Sequence, residues 1–380
     1  MTQPGPPGRG LRVIVLGGYG GFGARLARRL TGDGWQVIVA GRSLAKAQAF
    51  AATVPGAEGI AADRNGDLGP LFDQARPMLL IDAAGPFQGS SYAVPQACIA
   101  AGVAYLDLAD GREFVCGIGV LDAAARVAGV QVISGASSVP ALSGAVVREL
   151  AAKFDTVAQI DLAISASDRA TAGASVAASI LSYAGKPLPL WDGVAWRELI
   201  GWRMLRRERF QIGLRPQLSR LVALVDVPDH ALLPKQVAGS PAVTFRAGPE
   251  FAFHLLGIWL LSWTVQWGWL RSLVPLAPFL HRLQRLTAWL CSDRSAMAVE
   301  LRGTHDGAPY RARWTLIAER GDGPEVPTLA AQLLARKIAA GTVRAGARDG
   351  GEELTLAEFR PLFAELAIAE AVVAAYPLLP

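Results

Sequence analysis

Residues 11–17 (LRVIVLG) form an almost continuous apolar run of strand length, as a strand covered on both faces requires. After it, Leu26 and Leu30 fall at helical spacing until Gly34 stops the pattern. The alternation then repeats. Strands are predicted at 35–41, 59–63, 78–85, 104–110 and 130–136, with helical stretches at 43–54, 90–102 and 121–129 between them. Such alternation predicts an α/β fold with a doubly wound parallel sheet. From residue 156 the pattern changes. Strands are predicted at 156–166, 220–227, 241–247 and 296–303, with a helix at 175–185. In 296–319, Tyr310, Ala312, Trp314 and Leu316 alternate with polar neighbours beyond an Asp-Gly turn, which predicts an antiparallel hairpin. A second α/β domain on a mixed, partly antiparallel sheet is therefore expected.

The turn after the first strand reads Gly18-Tyr19-Gly20-Gly21-Phe22-Gly23 and satisfies G-x-G-x-x-G in its required place between strand and helix. The glycines permit a tight turn, close approach of a pyrophosphate and close helix packing, so a Rossmann dinucleotide site is expected. The second strand ends in Ala40-Gly41-Arg42-Ser43 without the carboxylate that holds the ribose of NAD. Arg42, Ser43 and Lys46 suit a 2′-phosphate, which predicts NADP, with NAD the alternative if Arg42 only stacks on adenine. Asp63, ending the third strand, is a candidate adenine contact. No tyrosine has a lysine four residues later, so the Tyr-x-x-x-Lys proton donor of short-chain dehydrogenases is absent.

Four stretches, "GGYGGFG", 83–111, 134–147 and 321–341, resemble the saccharopine dehydrogenase-like family of oxidoreductases. The resemblance implies a Rossmann domain over 1–145, to which 322–345 returns, and an inserted substrate and dimerisation domain over 146–321. It leaves 346–380 as a C-terminal helical segment. It also implies that Ala84, Gly85, Pro86 and Phe87 run beside the nicotinamide ribose, that Asp107 and Asp110 face the cleft, and that Ser137 and Ser138 line it. Tyr92 and Asp110 are the candidates for protonating a small imine or carbonyl substrate; the alternatives are helix packing for Tyr92 and turn capping for Asp110. Lys186, Asp168 and Arg169 are weaker candidates from the second domain, and His230 reads as a loop residue. The segment "GARDGGEELTLAEF" lacks the Pro-Cys pair of the family, and no arginine-rich signature for a bulky dicarboxylate is present. The family name is therefore not read as the substrate. Pairing through such sheets makes a homodimer the hypothesis for assembly.

Residues 251–270 carry no formal charge, and the stretch to 290 continues apolar with arginines and two prolines. Trp259, Trp263 and Trp267 share one helical stripe. A membrane span, a buried or dimer-interface helix, and an in-plane helix pair contacting anionic lipid all remain open. The net charge is +5, carried mostly by arginines concentrated at 197–210 and 271–285. A solvated face or contact with an anionic partner explains them; no nucleic-acid module is recognisable. Three scattered cysteines and four histidines without ligand spacing argue against disulfides and a metal. The tail "MTQPGPPGRG" lacks the apolar core of a secretory leader, so a cytoplasmic chain, with membrane association as the alternative, is expected. Hydride transfer to a lipid or polyketide, and cofactor binding without turnover, are the other functional classes.

Overall fold

The computed structural model describes residues 7–169 and 174–375; the start of the Pro/Gly tail (1–6) lies outside the described residues. The chain forms two compact units, one of residues 1–142 with 325–354, the other of 143–324 with 355–380.

In chain order the first unit begins with β1 (Arg12–Leu16), α1 (Gly21–Gly32), β2 (Gln36–Gly41), α2 (Leu44–Ala51), β3 (Glu58–Ala61) and α3 (Gly69–Ala75). It continues with β4 (Leu79–Asp82), α4 (Ala93–Ala101), β5 (Ala104–Asp107), α5 (Arg112–Gly117), α6 (Asp122–Ala128) and β6 (Gln131–Ser134). The chain then builds α7 (Ser143–Ala151), β7 (Thr156–Ala166), α8 (Ala174–Ser182), β8 (Pro187–Trp191), β9 (Trp196–Ile200), β10 (Arg206–Phe210) and β11 (Leu218–Leu224). There follow α9 (Asp229–Gln236), β12 (Ala242–Pro249), α10 (Ala252–Gln266), α11 (Ala277–Thr287), β13 (Ser295–His305) and β14 (Ala308–Ala318). Finally, α12 (Val326–Ala339) and β15 (Gly346–Asp349) rejoin the first unit, and α13 (Leu356–Ala364) and β16 (Ile368–Ala375) complete the second.

The first sheet has the order β15-β6-β5-β4-β1-β2-β3, all parallel. Strand order reverses between β1 and β4, and a crevice opens beyond the carboxyl ends of strands at such a switch point. Val13, Ile14, Val15 and Leu16 are all buried, which is why β1 reads as an unbroken apolar run. The returning α12 packs on α1. Arg336 holds the buried Asp33 at the end of α1 through two bonds of 2.7 Å, and Arg29 holds Glu325 at 2.7 Å.

The second sheet runs β10-β11-β12-β7-β13-β14-β16; β12 and β7 pair parallel and the other neighbours antiparallel. Asp306 and Gly307, with φ of 49° and 72°, make the two-residue turn of the β13–β14 hairpin. Asp155 accepts the Gly307 amide at 3.1 Å; its carboxylate, that of the exposed Asp306 and the half-buried His305 ring lie within 4.8 Å of one another, a clustering that sequence spacing did not reveal.

Residues 206–210 differ from the expectation of a solvated cationic face. They form β10, and Glu208 is buried between Arg206 and Arg313. On the paired strands β13 and β14, Glu300 accepts from Arg302, Arg311 and Arg313. The stretch 346–380 also departs from a helical segment: its described residues supply one strand to each sheet, on either side of the helix α13.

Burial alone would raise the Glu300 carboxyl, but hydrogen bonds from Arg311, Arg302 and Arg313 bring it from 4.5 down to about 2. A depressed acid stabilises the fold above its unfolded value and loses that contribution as pH falls through its folded one. Because Arg302 and Arg311 are over two-fifths exposed, the contribution is discounted to about 2 kcal/mol. Denaturant titrations should show Glu300→Gln less stable by that amount at neutral pH, with a shallower loss between pH 4.5 and about 2. Equal stability of both proteins across this range would refute the assignment.

Candidate cofactor-binding site

The β1–α1 turn is shaped by close approaches that exclude side chains. A Cβ on Gly23 would lie 2.2 Å from the Gly17 carbonyl oxygen, and one on Gly18 would lie 2.8 Å from that of Val15. Gly17, just before the sequence motif, has φ of 71°, and a Cβ on it would lie 3.0 Å from the Ala83–Ala84 backbone. It brings the loop after β4 against the glycine turn. Gly20 is the N-cap of α1, and the first intrahelical bond runs from Ala24 to Gly20. The amides of Gly21, Phe22 and Gly23 are therefore the open donors of the helix N-terminus, where phosphate binds favourably.

Tyr19 lies against Gly41, where a Cβ would meet its ring at 2.5 Å, and its hydroxyl accepts the Ser43 amide at 3.2 Å. This ties the glycine turn to the end of β2. Ser43 caps α2 by accepting the Lys46 amide at 3.4 Å. Arg42 and Lys46 are exposed on either side of that cap and form no ion pair among the described residues. Asp63 is exposed in the turn after β3 and accepts the Asn65 amide at 3.0 Å.

Beyond β4, the buried Asp82 accepts from Arg64 at 2.5 Å and from the Ala84 amide at 2.9 Å. Arg64 also donates to Ser90 at 3.0 Å and lies 4.6 Å from the Phe87 ring centroid. The loop carrying Ala84, Gly85, Pro86 and Phe87 is thus fixed by a cation that sequence reading did not single out. The one signal was an aspartate ending the apolar strand "LLID". Asp82 raises the Arg64 pKa against the burial that would lower it, which marks a held ion pair.

Asp107, expected to face the cleft, has no exposed surface. It is fully buried and ties β5 to β6, accepting on one oxygen from the Ala109 and Gly135 amides and the Ser134 hydroxyl at 2.7–3.1 Å. Burial pushes its carboxyl up to about 6, against those hydrogen bonds. Asp110 is only half-buried and accepts from the Gln88 side chain at 3.1 Å. The Tyr92 hydroxyl instead donates to the Phe114 carbonyl at 2.9 Å, its ring 4.9 Å from that of Phe114, so it braces α5. Burial raises its pKa. Ser137 and Ser138 are nearly buried after β6, at 9% exposure each.

In the second unit Asp168 is committed to structure. It accepts from the Phe251 amide and from Gln284, and it meets His254 Nδ1 at 3.2 Å. Burial alone would raise its carboxyl, but these partners hold it below the usual range. The Arg169 amide donates to Ser167 at 3.1 Å. His230, expected in a loop, lies buried on α9 with Nε2 accepting the Phe245 amide at 3.0 Å. Lys186 is exposed and lines a cavity of its own unit.

The family model described as the saccharopine dehydrogenase NADP binding domain matches residues 13–133. The L-Glu-forming saccharopine dehydrogenase of Saccharomyces cerevisiae is similar in structure at 12% identity, with TM-score 0.64, over 96% of this chain and all of that one. This shows a shared fold. A 3-ketoacyl-(acyl-carrier-protein) reductase from Brucella melitensis matches 33% of this chain and 74% of its own, with TM-score 0.26 and 16% identity. Comparison with curated protein sequences gives no match. NADP is the cofactor of this domain, and the coarse activity is that of an NADP-dependent dehydrogenase or reductase. Residues 13–133 are thus similar to the saccharopine dehydrogenase NADP binding domain, and the chain as a whole shares the fold of a saccharopine dehydrogenase.

Proposed function

We propose that the protein transfers hydride between NADP(H) and a small imine or carbonyl compound, or the corresponding amine or alcohol. The observation that carries this reading is the pairing of an open-amide glycine turn with two exposed cations, Arg42 and Lys46, at the start of α2. The amides of Gly21, Phe22 and Gly23 hold the diphosphate. Arg42, with the α2 N-terminus and Lys46, takes the 2′-phosphate, while Tyr19 keeps this corner against the glycine turn. The loop of Ala84, Gly85, Pro86 and Phe87, pinned by Arg64, takes the nicotinamide side, with Ser137 beyond β6 as a further contact. Asp63 sits on the adenine side.

Bound NADPH supplies the hydride to the substrate carbon, and the proton must reach its nitrogen or oxygen from the protein or water. Asp110 is the proposed group. It accepts that proton in the oxidative direction and returns it in the reductive one, while Gln88 fixes one carboxylate oxygen. Tyr92 serves as the brace of this corner rather than the acid, because its own proton is given to the Phe114 carbonyl.

Titration with both reduced cofactors tests the first half. Binding should favour NADPH, and Arg42→Ala should reduce that preference about tenfold, the worth of roughly one exposed charge-assisted contact. Unchanged preference would remove Arg42 from the site. Consumption of NADPH by at least one member of an imine and carbonyl panel tests the second half. Tight NADPH binding with no turnover on the whole panel would instead mark a dinucleotide-binding protein.

A further inference from the structure

Helices α10 and α11 are arranged inversely to a pair that packs into a protein in water. Several of their polar side chains are satisfied by partners within the protein. His254 and Gln284 reach Asp168, Thr287 meets His254 Nε2 at 2.8 Å, and Arg203 binds Ser262, Gln266 and the Trp259 carbonyl. Most of the large apolar side chains on one face point outward. Trp269 is 74% exposed, Trp289 72% and Phe279 66%, with Phe253, Leu260, Trp267 and Leu286 exposed beside them. A water-facing helix pair carries its polar residues on that side, and contiguous exposed apolar surface marks an interaction site.

We propose that this face of 251–290 docks in the plane of an anionic phospholipid membrane. No helix among the described residues is long and apolar enough to cross one. At 15 residues α10 is about 22 Å long, shorter than the roughly 30 Å apolar core of a bilayer. Between 251 and 292 the sequence has no aspartate or glutamate; its formal charges are Arg271, Arg282 and Arg285, all exposed and without an ion pair among the described residues. A second copy seated on this face would set arginine against arginine with no acid to answer it. An anionic membrane supplies the missing charge, and tryptophan suits headgroup depth. Beside the pair lies a cavity of about 410 Å³, lined by Lys186 and Arg271 together with Val265 and Leu270. Two cations above an apolar wall fit a lipid phosphate with its first acyl carbons.

The full-length protein should float with vesicles of phosphatidylcholine plus phosphatidylglycerol, and much less with phosphatidylcholine alone. Its tryptophan emission should shift to the blue and be quenched by brominated acyl chains. Arg282→Gln and Arg285→Gln should each weaken binding to anionic vesicles about fivefold, the effect expected per basic residue near such a surface. Trp269→Ser with Trp289→Ser should weaken it further, and NADPH binding should stay unchanged in all variants. Three results would overturn the proposal. One is no flotation with anionic vesicles by protein that still binds NADPH. Another is flotation indifferent to all these substitutions. The last is a stable dimer whose formation alone shields these tryptophans from an aqueous quencher.

Discussion

Gly23→Ala is expected to weaken NADPH binding by about a hundredfold or more while leaving the protein folded. The added methyl carbon would stand 2.2 Å from the Gly17 carbonyl oxygen. Both atoms belong to the site's own frame, one on the helix start and one on the turn, so neither yields without moving α1. That shift turns the Gly21–Gly23 amides away from the diphosphate. A hydrogen bond to a charged group contributes about 1.5–3 kcal/mol, so misaiming two of them removes roughly two decades of affinity. Gly32→Ala, on the same helix with nothing within 4 Å of its would-be Cβ, is the control and should bind normally. Calorimetry on the three proteins decides the matter: wild-type affinity in Gly23→Ala would show that the glycine turn does not hold the cofactor.

Asp110→Asn is expected to lower kcat about a hundredfold on whichever panel substrate the wild type turns over, since a positioned acid or base typically contributes about 10²–10⁴. Asparagine keeps an oxygen to accept the Gln88 side chain at the observed 3.1 Å, so the corner should retain its shape. NADPH affinity should therefore stay as it was, and the pH profile of kcat should lose the limb set by this carboxyl. Tyr92→Phe, by contrast, removes a hydroxyl bound to the Phe114 carbonyl and should act mainly on stability. An unaltered kcat in Asp110→Asn would assign the proton to another group or to water.

Much of the first sheet was legible because its strands are covered on both faces. Runs such as "VIVL" admit few other readings once a glycine turn and a helix follow. Residues 206–210 were not legible for the opposite reason. Four of the five side chains in "RRERF" are charged, and only the fold reveals that Glu208 is buried between Arg206 of its own strand and Arg313 of β14. The alanine-rich "IAEAVVAA" has helical composition, yet it forms β16 because the edge of β14 offers eight consecutive partners. Tertiary pairing there outweighs local preference. Within the site, Gly18, Gly20 and Gly23 announced themselves through spacing. Gly17 did not, because its left-handed φ serves the loop after β4 rather than the motif. Arg64 lay hidden in "DRNGD", where nothing but a folded structure connects it to Asp82.

The way the last fifty residues are shared between the two units bears on how the chain matures. The cofactor-binding sheet lacks its edge strand, and its first helix lacks the partner that neutralises Asp33, until residues 326–349 have been synthesised. On a ribosome, a shorter nascent chain would expose the flank of β6 and leave a buried aspartate without its arginine. Neither half can be cut out as one contiguous piece, since each owns a segment that lies beyond the other. A chain cut just before β15 should thus cost each sheet an edge strand at once, although the cut falls far in sequence from the glycine turn.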